Sequence, residues 1–174
     1  MDFIDLAWKR KSVRSFKQDD VSVEKITRLL DAARSAPSGG NCQPWHFYVT
    51  KDDAQKKLIH QSAGGKQSFM LQAPVHIIVC ADLSRTGKVY GDRGRTLYSL
   101  QDTAAAIQNL LLCAVDEGLA ACWCGAFDEE VVSGILSLDD NFRPIAIIPI
   151  GYASKEPAKT KRRPIEEIST FIGF

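Results

Sequence analysis

Ala36-Pro37-Ser38-Gly39-Gly40-Asn41-Cys42-Gln43-Pro44-Trp45-His46-Phe47-Tyr48-Val49 passes from a helix stop to a strand within fourteen residues. Pro37 and Gly39-Gly40 interrupt the preceding helical pattern, the Ser/Asn/Gln stretch forms a polar loop, and the aromatic, β-branched run from Trp45 reads as a strand. Upstream, Ser22 caps a helix whose apolar positions Ile26, Leu29, Leu30 and Ala33 fall at i, i+3, i+4 and i+7. Downstream, Asp52 with Gln55 three residues on opens a third helix through Ile59, and Gly64-Gly65 marks a loop before Phe69-Met70-Leu71. Val75-His76-Ile77-Ile78-Val79-Cys80-Ala81 is apolar on both faces and suits a central strand. The polar, glycine-containing stretch from Asp82 to Arg95 reads as a mobile surface segment. The most hydrophobic helix starts at Asp102 or Thr103, runs through Ala104 to Val115, and stops at Asp116-Glu117-Gly118, with the glycine placed as a C-cap. Two further strands, Leu119 to Trp123 and Pro144 to Gly151, flank a helix near Glu129 to Leu136. The pattern is α+β, a sheet flanked by helices. No Pro/Gly/Ser-rich linker divides the 174 residues, so one domain spanning 1–174 is expected.

The two ends carry the charge. A short opening helix built on Phe3, Ile4, Leu6 and Ala7 delivers Arg10-Lys11-Ser12-Val13-Arg14-Ser15-Phe16, in which guanidiniums and hydroxyls can make charge-assisted bonds to phosphate oxygens. The alternative for this heptapeptide is a solvated basic face. Near the other end, Lys159, Lys161, Arg162, Arg163 and Pro164 precede Ile165, Ile168, Phe171, Ile172 and Phe174. A basic loop followed by an apolar tail is built to dock, either on a partner chain or on its own core.

Twenty-two Lys and Arg against 21 Asp and Glu leave a net charge of +1, which argues against a broad nucleic-acid or acidic-membrane surface. The N-terminus has no basic n-region and apolar h-region, and no run of about 18 apolar residues could span a bilayer, so a cytoplasmic protein is expected. The five cysteines, Cys42, Cys80, Cys113, Cys122 and Cys124, lie mostly in apolar runs and do not form a disulfide framework. Neither Cys122-x-Cys124 nor His46, His60 and His76 have metal-site spacing, so no metal is expected.

Six elements occur in a fixed order: Arg-x-Ser-x-Arg-x-Phe at Arg10, Ala-Pro-Ser-x-x-Asn-x-Gln-Pro-Trp-x-Phe at Ala36, an apolar helix ending Glu117-Gly118-Leu119, Cys-Trp-x-Gly-Ala-Phe at Cys122, Ile-Pro-Ile-Gly-Tyr at Ile148, and Arg162-Arg163-Pro164. Together they resemble the nitroreductase family of FMN-dependent oxidoreductases over nearly the whole chain, and the second element is the most specific. The resemblance implies a central, mostly antiparallel sheet flanked by helices, in an intertwined homodimer with FMN at the subunit interface. Arg10, Lys11 and Ser12 would meet the FMN phosphate and ribityl chain, Arg14 the pyrimidine edge, and Arg162 and Arg163 the phosphate from the other end. Pro37, Ser38, Gly39, Asn41 and Gln43 would come from the partner subunit. Cys124, Gly125 and Ala126 would line the ring near N5 with backbone N–H groups.

The chemistry fits these residue types: a phosphate monoester carries about two negative charges at neutral pH, and a cation beside the N1/O2 edge stabilises the anionic reduced flavin. The implied reaction is ping-pong, with NADH or NADPH giving hydride to N5 and a nitroaromatic, quinone or similar electron-poor small molecule then taking it; no catalytic side chain is required. Cys42 and Cys124 are either thiols with a redox role or small packing residues. Tyr90 and Arg93 either guide a nicotinamide phosphate or are solvated loop residues. The alternative functions are a non-enzymatic flavin-binding or storage protein, and a specialised relative acting on flavin or halogenated aromatics.

Overall fold

A computed structural model describes residues 2–158 and 160–174; Lys159, grouped above with the basic C-terminal loop, lies outside the described residues. Four strands form one sheet in the order β1-β2-β4-β3, with β1 at Trp45–Thr50, β2 at Val75–Asp82, β3 at Ala120–Ala121 and β4 at Phe142–Gly151, all neighbours antiparallel. The register runs from Trp45 opposite Ala81 to Thr50 opposite His76, and from Val75 opposite Ile150 to Asp82 opposite Phe142. It slips where Val79 faces Ala146 but Cys80 faces Pro144, leaving Ile145 as an extra residue. Pro144 cannot donate to the ladder, and a bulge accommodates it.

The helices are α1 (Phe3–Lys9), α2 (Val23–Arg34), α3 (Asp53–Ser62), α4 (Phe69–Gln72), α5 (Leu83–Arg93), α6 (Ser99–Asp116) and α7 (Glu129–Leu136). Their starts follow the expected chemistry: Ser22 accepts from Lys25 N, Asp52 from Gln55 N, and Asp128 from Val131 N. α6 ends as its sequence predicts, with Gly118 at φ 71°. Because β2 is covered on both sides, its residues divide by parity. Val75, Ile77 and Val79 pack with Leu29, Ile107 and Leu110 of α2 and α6, while Ile78 and Cys80 join Ile59, Met70 and Val132 of α3, α4 and α7. Among the described residues, no helix is long and apolar enough to cross a membrane.

Two expectations change. The stretch from Asp82 to Arg95 is helical: Asp82 Oδ1 accepts from Ser84 N and Arg85 N at 2.9 and 3.3 Å and caps α5, and a π turn, Gly94–Tyr98, joins it to α6. Its composition is polar because it lies outside the main core, and Gly91 and Gly94 sit where the chain turns back on itself. The strand expected over Leu119 to Trp123 shortens to two residues, and beyond it the contact with β4 is a long bond from Cys122 N to Pro149 O and an isolated antiparallel bridge in which Cys124 and Ile147 exchange two bonds.

Candidate functional site

The basic heptapeptide is extended backbone sewn between two other segments. Ser12 pairs in parallel with Ala121, and Val13 N donates to Ala121 O at 3.0 Å. On its other edge, Lys17 N donates to Tyr152 O at 2.8 Å and Ser154 N to Ser15 O at 3.0 Å. Val13 and Phe16 turn into the core, whereas Arg10, Lys11, Ser12 and Arg14 line a cavity of about 660 Å³. Arg162 closes the far wall with Pro157, Ala158 and Thr160, and α1 supplies Asp5, Trp8 and Lys9.

Among the described residues, five cations and one carboxylate therefore face a space lined also by an indole and a proline. That balance favours an anionic ligand with an apolar body. The cations are held unequally. Lys11 Nζ reaches Glu156 at 3.4 Å and Pro157 O at 3.1 Å, so it ties the C-terminal segment over the cavity. Arg162 is steadied by Thr160 Oγ1 at 2.8 Å. Arg14 is exposed, with its guanidinium carbon 6.0 Å from the centre of the Phe69 ring.

Behind this wall lie two thiols. Cys122 and Cys124 point to one side of the chain, two residues apart, and both are buried. The Cys124 thiol, with Arg14 and Ser12 behind it, pulls the Cys122 thiol below its ordinary range, while the Cys122 sulfur and burial push Cys124 up. The pair thus holds one easily lost proton and one tightly held proton. The sequence reading singled out Cys124 and passed over Cys122, whose position depends on the parallel pairing of Ser12 with Ala121, which residue spacing does not reveal. Cys124 N donates to Ile147 O at 2.9 Å, so its N–H is already used by the sheet. The N–H groups of Gly125 and Ala126 have no backbone acceptor among the described residues.

Arg10, Lys11, Ser12, Arg14 and Arg162 come together in one cavity. Arg163 is exposed outside its lining. Pro37, Ser38, Gly39, Asn41 and Gln43 form a separate loop packed near the start of α6, where Gly39 N donates to Asp102 Oδ2 at 3.1 Å; within one chain they do not line the cavity. Trp8 was missed, although an exposed tryptophan two residues before a cation cluster is a legible signal.

The model of the nitroreductase family matches residues 7–63 and 51–152. A protein of Methanothermobacter thermautotrophicus, whose name pairs NADH dehydrogenase with NAD(P)H nitroreductase, is 35% identical over 162 residues, covering 90% of this chain and 80% of that one. The FMN reductase [NAD(P)H] of Bacillus subtilis is 28% identical over 176 residues, 91% of this chain and 69% of its own. A solved nitroreductase family protein from Clostridium difficile 630 superposes with a TM-score of 0.87 at 32% identity, with all of both chains covered. With its antiparallel sheet, flanking helices and a cationic cavity drawn from both ends of the sequence, this chain belongs to the nitroreductase family of oxidoreductases.

Proposed function

We propose that the protein is an FMN-dependent oxidoreductase that draws reducing equivalents from NADH or NADPH and delivers them to nitroaromatics, quinones or similar electron-poor small molecules, in two successive half-reactions at one pocket. The carrying observation is the cavity in which Arg10, Lys11, Ser12 and Arg14 face Arg162 across about 660 Å³. Its volume lies within the usual range of small-molecule sites, about 300–1,000 Å³, and its wall combines phosphate-binding cations with apolar surface.

Bound there, FMN would supply the hydride-accepting and hydride-donating centre. This chain's residues bind and orient. Arg10 and Ser12, with Lys11 closing the segment above them and Arg162 and Arg163 approaching from the other end, hold the phosphate and ribityl chain. Arg14 would stand at the pyrimidine edge, where a fixed positive charge favours the reduced, anionic state. The Gly125 and Ala126 N–H groups would serve the ring near N5, with Cys124 lining it from the sheet.

A homodimer completes the site in this reading. Pro37, Ser38, Gly39, Asn41 and Gln43 would reach a second copy's flavin, since they do not line the cavity of their own chain. Supporting this, Phe3, Ile4 and Trp8 on α1 and Ile165, Ile168, Phe171 and Phe174 in the tail are exposed rather than docked on their own core. Such apolar surface at both ends of one chain favours association.

The test is optical. Purified protein should carry or take up FMN, lose its flavin absorption on addition of NADH or NADPH, and regain it with a quinone or nitroaromatic. Bound flavin that neither nicotinamide bleaches would overturn the reductase reading. Arg10→Ala should weaken FMN binding by about 1.5–3 kcal/mol, the value of a charge-assisted hydrogen bond, as read by flavin titration. Unchanged affinity in the folded variant would return the basic cluster to the role of a solvated face.

A further inference from the structure

The loop between α2 and β1 has a backbone that needs outside support. Gly40, Asn41 and Gln43 have φ of 55°, 56° and 51°, a left-handed region that glycine enters freely and other residues seldom do. Part of the support is internal: Asn41 N donates to Ser38 O and Gln43 N to Ser38 Oγ, each at 3.0 Å. The rest comes from elsewhere in the sequence. Asp102 Oδ2 accepts from Gly39 N at 3.1 Å, Arg85 Nε donates to Cys42 O at 2.7 Å, and the Tyr90 ring lies against Gly40. A Cβ on Gly40 would stand 2.7 Å from the Tyr90 hydroxyl oxygen.

Tyr90 reaches that position because its helix doubles back. Gly91, at φ 57° and ψ −142°, takes a conformation open essentially to glycine alone. Beyond it, Thr86 Oγ1 donates to Gly94 O at 2.9 Å, and the helix and π turn pack so closely that a Cβ on Gly94 would lie 2.2 Å from Thr86 O. The result brings Tyr90 edge-on to Tyr98, with ring centres 5.1 Å apart, beside the Gly39–Gly40 backbone. Burial pushes the Asp102 carboxyl above its ordinary range, and the Gly39 N–H opposes that shift.

We propose that Asp102 and Tyr90 are positioning residues, which hold the Ser38–Gln43 loop in the shape in which it meets the flavin, and that the Leu83–Tyr98 hairpin is the buttress carrying Tyr90. The proposal rests on the FMN reading above. A loop already fixed in its binding geometry spares the ligand the cost of ordering it, so loss of the buttress appears as weaker flavin binding.

Flavin affinity, measured by fluorescence quenching on the full-length protein, is compared with amide exchange at Gly39 and Asn41 in the flavin-stripped form. Asp102→Ala raises the FMN Kd on the order of tenfold and speeds exchange at Gly39. Asp102→Asn retains an oxygen acceptor and stays within about threefold of wild type. Gly40→Ala weakens binding through its clash with the Tyr90 hydroxyl. Adding Tyr90→Phe recovers part of that loss, because the nearest remaining ring atom would be 3.5 Å away. Wild-type affinity in Asp102→Ala, or purely additive effects of Gly40→Ala and Tyr90→Phe, would overturn the positioning role. A wild-type protein that takes up no FMN would instead overturn the functional reading beneath it, and the exchange rates would still report whether Asp102 holds the loop.

Discussion

On one face of the sheet, Val75, Ile77 and Val79 of β2 and Ala146, Ile148 and Ile150 of β4 meet α2 and α6 in a mainly aliphatic contact, with Leu29, Ile107 and Leu110 fully buried. The opposite face is also closed, yet it encloses polar groups. His76 is fully buried with Nε2 2.8 Å from Met70 O and no partner for Nδ1 among the described residues, Lys56 donates to Ala73 O at 3.2 Å, and Cys122 and Cys124 lie behind the cationic cavity. Parity along one strand thus sorts two kinds of interior. The aliphatic side keeps its polar groups at the rim of the α2–α6 seam, where Arg28 pairs with Glu117 and Asn109 donates to Ala32 O, whereas the mixed side buries them and couples packing to protonation close to the candidate site.

The largest expected effect belongs to the aliphatic face. Leu110→Ala should cost roughly 2–5 kcal/mol, the range for emptying a buried leucine site, measured by urea unfolding, and the loss should not change with pH. A cost under about 1 kcal/mol would mean that α6 can collapse onto the gap, and that this face is less tightly packed than its burial indicates.

Second comes the acid response of the mixed face. Burial lowers the His76 pKa from 6.5 to about 4, outweighing the bond to Met70 O. Between those values the unfolded chain binds a proton that the folded chain refuses, so stability is full above about pH 6.5 and falls as pH drops toward 4. The shift corresponds to about 3 kcal/mol. Asp53 and Glu129 are held below their ordinary ranges by hydrogen bonds from Lys56 and Arg143, so a loss that begins near neutrality is not theirs. Urea unfolding at a series of pH values should show this slope in the wild type and its disappearance in His76→Gln. A slope that survives the substitution would assign it to another group.

The two faces were also unequally legible. Apolar periodicity placed α2, α6 and β2 with their buried residues, because burial on a helix stripe or a central strand repeats at a fixed interval. The cavity was readable as two basic clusters in a family-specific order, but the pairing that joins them is nonlocal: Ser12 meets Ala121, and Lys11 reaches Glu156 across the chain. The Leu83–Arg93 helix escaped notice for a different reason. Gly87, Gly91 and Gly94 lower helix propensity, and the need for Gly94 arises only when the Thr86 backbone presses against it. Likewise, the lowered pKa of Cys122 comes first from Cys124, two residues on, and then from Arg14 and Ser12, which are remote in sequence.

The smallest effect separates burial from charge as the source of the mixed face's sensitivity. Arg143, near the start of β4, makes two bonds to Glu129 of α7, Nε at 2.8 Å and Nη2 at 2.9 Å, but the two side chains are 47% and 46% exposed. Water screens such a pair, so its fork geometry should add only about 0.5 kcal/mol. Glu129→Gln alone would mislead, because Glu129 also sits in the first turn of α7, where a carboxylate favours the helix dipole. A double-mutant cycle with Arg143→Met removes that contribution, and its coupling energy should shrink as salt is raised. If the coupling instead approached the size of the His76 effect and resisted salt, ion pairing would govern this face. A small, salt-sensitive coupling beside a large His76 slope would leave desolvation as the cause, because His76 is fully buried whereas Arg143 and Glu129 are each about half exposed.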